Sequence, residues 1–215
     1  MNIVNYFIKQ SDKIFQYTVN HISLILIGIT CSLILWVSIG IAIRNHSRLA
    51  NIVLGAGSFI MSVPSISLYG ILMVIPGLGI SRKSAVIGLV LYSMLPIIRN
   101  VYTALNSTDP AIIEAARGVG MTSKDVLWKI RLPMALPIIF AGVRVAVVMM
   151  VGVATLAVYI GEKNLGRLLT HGIERTYTEM IITGAIMVSL IAIVIDYIMG
   201  YIQERLVSPG LKNNV

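Results

Sequence analysis

Charge is scarce in this sequence. Of 215 residues only 12% are Asp, Glu, Lys or Arg, against 57% hydrophobic, and the mean hydropathy is +0.88. So little polar surface cannot cover a soluble globule, which directs the reading to a membrane. Cysteine is nearly absent: Cys31 stands alone, which excludes a disulfide framework within the chain and a multi-thiolate metal site. The three histidines, His21, His46 and His171, fall in three different segments. No metal site is expected from them, and they read as interfacial residues. No GxxxxGK[ST] stretch occurs, so the chain has no phosphate-cradling loop of its own. Acidic residues are few as well, nine against 17 basic ones, for a net charge of +8. Such an excess raises nucleic acid as a partner, but the basic residues flank apolar runs rather than cover one face of a domain. No nucleic-acid partner and no cofactor are expected, and lipid is the surface these charges suit.

What is present is a series of long apolar runs. A transmembrane helix needs about 20 predominantly apolar residues, and the runs are Ile22–Ile43, Ile52–Ile75, Ser84–Leu105, Met134–Ile160 and Met180–Tyr201. The first is too long for the roughly 7–15 apolar residues of a signal peptide, and no small-residue cleavage pattern follows it. The expected fold is therefore an all-α polytopic membrane protein with five spans. Pro64 divides the second run, so that a kinked helix and two shorter helices meeting near Val63 and Pro64 are both allowed, the latter making six. An N-terminal segment of 1–21, one membrane domain of 22–205 with its largest loop at 106–133, and a tail of 206–215 describe the organisation. Small residues spaced four apart, Gly28 with Ser32, Ser58 with Ser62 and Gly142 with Ala146, suit close helix packing.

With five spans, the loop at 106–133 and the loop at 44–51 share a side with the C-terminus. That side holds Arg44, Arg48, Arg99, Arg117, Lys124, Lys129, Arg131, Arg205 and Lys212. The other holds Lys9, Lys13, Arg82, Lys83, Lys163, Arg167 and Arg175. The bias makes the first side cytoplasmic.

The loop itself, EAARGVGMTSKDVLWKIRLP from Glu114 to Pro133, has a definite local logic. Asp109 can cap a helix that Pro110 begins, and Gly118 with Gly120 supplies the turn that ends it. Thr122 and Asp125 have the spacing of a second start, from which Ser123 to Arg131 forms a helix that Pro133 ends. Both helices are too short to span, mix apolar and charged positions, and are expected to lie at the membrane surface. Three uses compete for such an element: amphipathic helices resting on headgroups, a DNA-reading helix-turn-helix, which tethering by two spans argues against, and insertion into a groove on a partner protein.

Glu114, Ala115 and Ala116, then Gly120 after three residues, then Ile130, Leu132 and Pro133, resemble the EAA motif of ABC importer permeases at each of its positions. LYSMLPIIRNVYTALNSTDPAIIEAARGVGM, LPMALPIIFAGVR and YIGEKNLGRLLTHGI are similar to the osmoprotectant branch, the permeases for glycine betaine, carnitine or choline. Glu162 and Lys163 depart from it, standing where small uncharged residues are expected. The resemblance implies a type I importer permease fold in which the loop docks on a cytoplasmic ATPase subunit. It further implies a second permease chain, identical or related, and an extracellular or lipid-anchored solute-binding protein. The chain would be no enzyme itself, and would lie in a bacterial cell membrane with its coupling loop and C-terminus cytoplasmic. A methionine or other amino-acid permease keeps the mechanism with different cargo, and a membrane anchor that recruits a cytoplasmic protein is the alternative without transport.

Two charges stand within apolar runs. Arg144 lies about 16 Å along its span from Pro133, and Asp196 about 13 Å before Arg205 on an antiparallel span, at 1.5 Å per residue. A charge at that depth faces a partner or water, so the two are expected to pair within the bundle, for packing or as a gate. Trp36, Tyr69 and Tyr92 are the aromatics that suit a quaternary ammonium along a solute path.

Overall fold

The computed structural model describes residues 3–206. The predicted C-terminal tail, with Lys212, falls outside them apart from its first residue, Leu206. Nine helices carry the described chain: α1 Ile3–Lys9, α2 Ser11–Ile43, α3 Ser47–Ser62, α4 Ser65–Val74, α5 Arg82–Asn106, α6 Pro110–Gly118, α7 Ser123–Ile160, α8 Gly166–Glu174 and α9 Thr178–Leu206. Four of them, α2, α5, α7 and α9, are long and apolar enough to cross a membrane, and the bent pair α3–α4 is long and apolar enough for a fifth crossing when its two helices are taken together. The expected five segments are all present, with three changes of detail.

First, the initial span starts eleven residues earlier than its apolar run. Ile14, His21, Leu24, Ile25, Gly28 and Ile29 form one buried stripe, so the helical face that meets the core extends through the polar residues before Ile22. His21 is therefore fully buried instead of interfacial, its Nε2 3.2 Å from the Val151 carbonyl of α7, and residues 11–21 share one helix with the first apolar run. Secondly, the second run is two helices inclined at 100°. Val63 and Pro64 both take extended conformations, as the residue before a proline prefers. Thirdly, α7 does not stop at Pro133 but runs through it.

The core centres on α5, which packs against α2, α3, α4 and α7. Its buried residues include Leu89, Ile97, Ile98, Val101 and Leu105. Small residues let its neighbours come close: a Cβ on Gly142 of α7 would lie 2.5 Å from Asn100 Cβ, and Ser32 of α2 accepts a 2.7 Å hydrogen bond from Ser93. Ser58 and Ser62 do not serve this purpose. Their hydroxyls donate to the carbonyls of Leu54 and Ser58 on their own helix, and Gly57, beside Leu95, makes the contact instead. The helix at the other extreme is α9, which leaves Ile193, Val194, Tyr197 and Ile198 exposed along its length.

Candidate functional site

The segment between α5 and the body of α7 is built from three local devices. Asp109 Oδ1 accepts the Ala111 N–H at 2.8 Å and Pro110 opens α6, a cap followed by a residue whose missing N–H has no cost there. At the far end the Met121 N–H donates to the Ala116 carbonyl at 3.1 Å and the Gly120 N–H to the Arg117 carbonyl at 2.9 Å. These are the two closing bonds of a Schellman turn, which place Gly120 at the left-handed position; its φ is +85°. The spacing of Gly120 four residues after Ala116 thus has a mechanical origin. Thr122 and Asp125 then form a complete capping box that starts α7, reinforced by Lys129 Nζ at 2.6 Å from Asp125 Oδ1.

From Leu127 to Arg131 the helix widens into a π turn before α winding resumes at Leu132. Pro133 falls in the first turn of the renewed winding, where an absent N–H breaks no α bond. This is why it does not terminate the helix. The second short helix of the expected pair is accordingly the base of a 38-residue helix, and not a separate element on the membrane surface. α6 joins the foot of this long helix through the Gly120 turn.

Glu114 and Ala115 are exposed on α6, Ala116 is buried, Ile130 and Leu132 are half-buried, and Pro133 is exposed. Exposed Val119 and Trp128 stand nearby. The element presents a mixed apolar and charged surface, with its shape set by the caps beneath.

The family described as binding-protein-dependent transport system inner membrane component matches residues 25–208. The chain belongs to that family. It is 40% identical to the osmoprotectant import permease protein OsmW of Salmonella typhimurium over 99% of this chain and 100% of that one. It is 33% identical to the glycine betaine/carnitine/choline transport system permease protein OpuCB of Bacillus subtilis, over 91% of this chain and 89% of that one. Among solved structures, inward-facing MetNI methionine ABC transporter matches with TM-score 0.82 at 18% identity, covering 93% of this chain and 99% of that one. An amino acid ABC transporter with histidines matches with TM-score 0.77 at 16% identity, over 95% and 99%. The fold is therefore that of type I ABC importer permeases.

Within this permease fold, Arg144 of α7 and Asp196 of α9 meet as a two-pronged pair, Nε to Oδ1 at 2.6 Å and Nη2 to Oδ2 at 2.7 Å. Gly200 makes room, since a Cβ there would lie 3.0 Å from Arg144 Nη1. The chain does not enclose the pair: the two side chains keep 34% and 45% of their surface exposed. They sit on the flank of the bundle and not inside it.

The three aromatics are buried. Trp36, in a π turn of α2, donates its indole N–H to the Val90 carbonyl at 2.7 Å. Tyr92 donates to the Val63 carbonyl that the α3–α4 break leaves free. Tyr69 packs its ring on Gly88, and its hydroxyl has no partner among the described residues.

Two features were not foreseen from sequence. Glu162, in the loop between α7 and α8, is buried and lies 3.6 Å from Arg82, whose guanidinium also donates to Ser23; Asn20 donates to the Lys163 carbonyl at 2.8 Å. The unexpected charge therefore has a counter-ion at the start of α5, a pairing of residues 80 positions apart that no local pattern signals. The second is a convergence of Arg44, Arg117 and Arg131 beneath α6.

Proposed function

We propose that this chain is the membrane-spanning subunit of an ATP-driven bacterial importer for a quaternary-ammonium osmoprotectant: glycine betaine, carnitine or choline. The observation that carries the reading is the 40% identity to an osmoprotectant import permease along the full length of both proteins. The methionine and amino-acid transporters share the fold at 16–18% identity, which says nothing of cargo.

In this reading ATP is hydrolysed by a separate cytoplasmic subunit, and a second permease chain and a solute-binding protein complete the assembly. The loop of Glu114, Ala115, Ala116, Gly120, Ile130, Leu132 and Pro133 faces the cytoplasm and docks on the ATPase. What supports it mechanically is the continuity of α7, which starts at the Gly120 turn and runs unbroken through Pro133 past Arg144. The Arg144–Asp196 pair, too exposed for lipid at its depth, faces the water-filled path between two permease chains. There it holds α7 and α9 together and acts as a gate element. Trp36 and Tyr92 serve packing, and Tyr69, with its free hydroxyl, is the aromatic retained for the solute path.

Uptake of labelled glycine betaine, carnitine, choline and methionine, in cells lacking the chain and then complemented, tests the cargo. Recovery of one or more quaternary ammonium solutes is expected. Recovery of methionine alone overturns the cargo, and recovery of none favours an anchor without transport.

A further inference from the structure

Below α6 the structure holds a cavity of about 60 Å³ lined by Arg44, Asn45, Arg117, Ser123 and Arg131 on an apolar floor of Ile113, Val126 and Leu127. One water needs roughly 10–15 Å³ by the same measure, so the space admits a small polyatomic group. Three arginines line it, from three different elements: the turn after α2, α6, and the foot of α7. No carboxylate lines it. Asp125 is committed to Lys129 and Thr122, Asp109 to the α6 cap, and Glu114 of α6 is exposed and does not line the cavity. Arg44 uses one donor on the Ile41 carbonyl at 2.7 Å. Arg131 Nε is buried without a hydrogen-bond partner among the described residues.

A buried guanidinium N–H with no acceptor, beside two further arginines and with no carboxylate among the described residues lining the cavity, is a costly arrangement unless an anion completes it. Guanidinium forks match a tetrahedral oxyanion best, since each presents paired N–H groups to two oxygens. We propose that this cavity is a phosphate site, taking the phosphodiester of a membrane lipid headgroup or free inorganic phosphate. The occupied site ties α6 to the ends of both spanning helices, α2 and α7. Phosphate there stiffens the one surface element whose tilt has to be passed to α7. The site stands on this chain's own residues and does not depend on the cargo.

The test uses the full-length protein purified in a neutral detergent. Inorganic phosphate is compared with chloride at matched ionic strength, reading the thermal unfolding midpoint. Phosphate is expected to raise the midpoint of the wild type by mass action. Arg117→Gln, a change at an exposed side chain, is expected to weaken the apparent affinity tenfold or more, as is Arg131→Lys, which keeps the charge and loses the fork. Nanodiscs separate the two sources. If lipid phosphate fills the site, free phosphate gives no further shift in phosphatidylglycerol discs, and Arg117→Gln lowers the midpoint there. If free phosphate is the ligand, its shift persists in those discs. An equal response to phosphate and chloride in detergent overturns the proposal, and so does an undiminished phosphate shift in the Arg44→Gln, Arg117→Gln, Arg131→Gln triple variant. Should phosphate have no effect while the variants lose only co-purification with an ATPase subunit, the arginines contact a protein partner and the site is not a phosphate site.

Discussion

At the scale of single residues, the decisive question is whether a buried polar atom has a partner. Tyr92 and Tyr69 are both buried, but only Tyr92 donates, to the carbonyl freed at the α3–α4 break. Tyr92→Phe leaves that carbonyl unpaired and is expected to cost about 1–3 kcal/mol. Tyr69→Phe removes a hydroxyl with nothing to lose and is expected to be neutral or slightly stabilising. Thermal unfolding of the two purified variants checks this; equal losses would contradict the hydrogen-bond assignment. The pair of Arg144 and Asp196 follows the same rule with charges. Arg144→Ala and Asp196→Ala each leave a lone charge on the flank of α7 or α9, and each is expected to lower the midpoint. Arg144→Asp combined with Asp196→Arg is expected to regain more than half of that loss. A double variant no better than the singles would show that the two side chains do not stabilise each other. This pair was legible from sequence because depth along two antiparallel helices can be counted from residue numbers. Its exposure was not, because which face of a helix remains uncovered is decided by tertiary packing.

At the scale of elements, the loop at 106–133 shows how far local chemistry reaches. Caps act over three or four residues, so Asp109 with Pro110 and Thr122 with Asp125 could be read directly, and both caps form as spelled. Pro133 could not. Its effect depends on the π turn before it, and nothing in the residues of that turn signals the change of winding. The same limit applies to Ser58 and Ser62, which have the spacing of a packing pair but spend their hydroxyls on their own helix. His21 looked interfacial because the apolar run begins after it, while the buried stripe begins earlier. The Schellman turn gives the element's sharpest prediction. Gly120 has open space where a Cβ would stand, so Gly120→Ala meets no clash and pays only for its positive φ, about 1–2 kcal/mol. Asp109→Ala is expected to cost about 1 kcal/mol through the lost cap. Both should loosen α6 while leaving the spans intact, which hydrogen exchange of the 109–121 amides would register as faster exchange confined to that segment. Unchanged exchange there would mean that these caps do not hold the helix.

At the scale of the whole molecule, composition and run length were enough for the class of fold, since a bilayer imposes its thickness on any chain that crosses it. Pro64 marked where α3 and α4 could part, but not the 100° angle between them, and nothing in the sequence revealed the burial of Glu162 against Arg82, a contact between distant segments. The central claim is that α6 and α7 act as one lever, transmitting events at a partner ATPase to a path for osmoprotectant. ATP-dependent accumulation of labelled solute in proteoliposomes containing this chain and its partners measures that claim directly. Wild type is expected to accumulate at least one of glycine betaine, carnitine and choline when ATP is supplied. Gly120→Trp, placing a bulky side chain at the left-handed corner of the lever, is expected to lower accumulation at least tenfold while the complex still assembles. Full accumulation by the Gly120→Trp complex would contradict the lever, and accumulation by vesicles lacking the chain would contradict its role in transport.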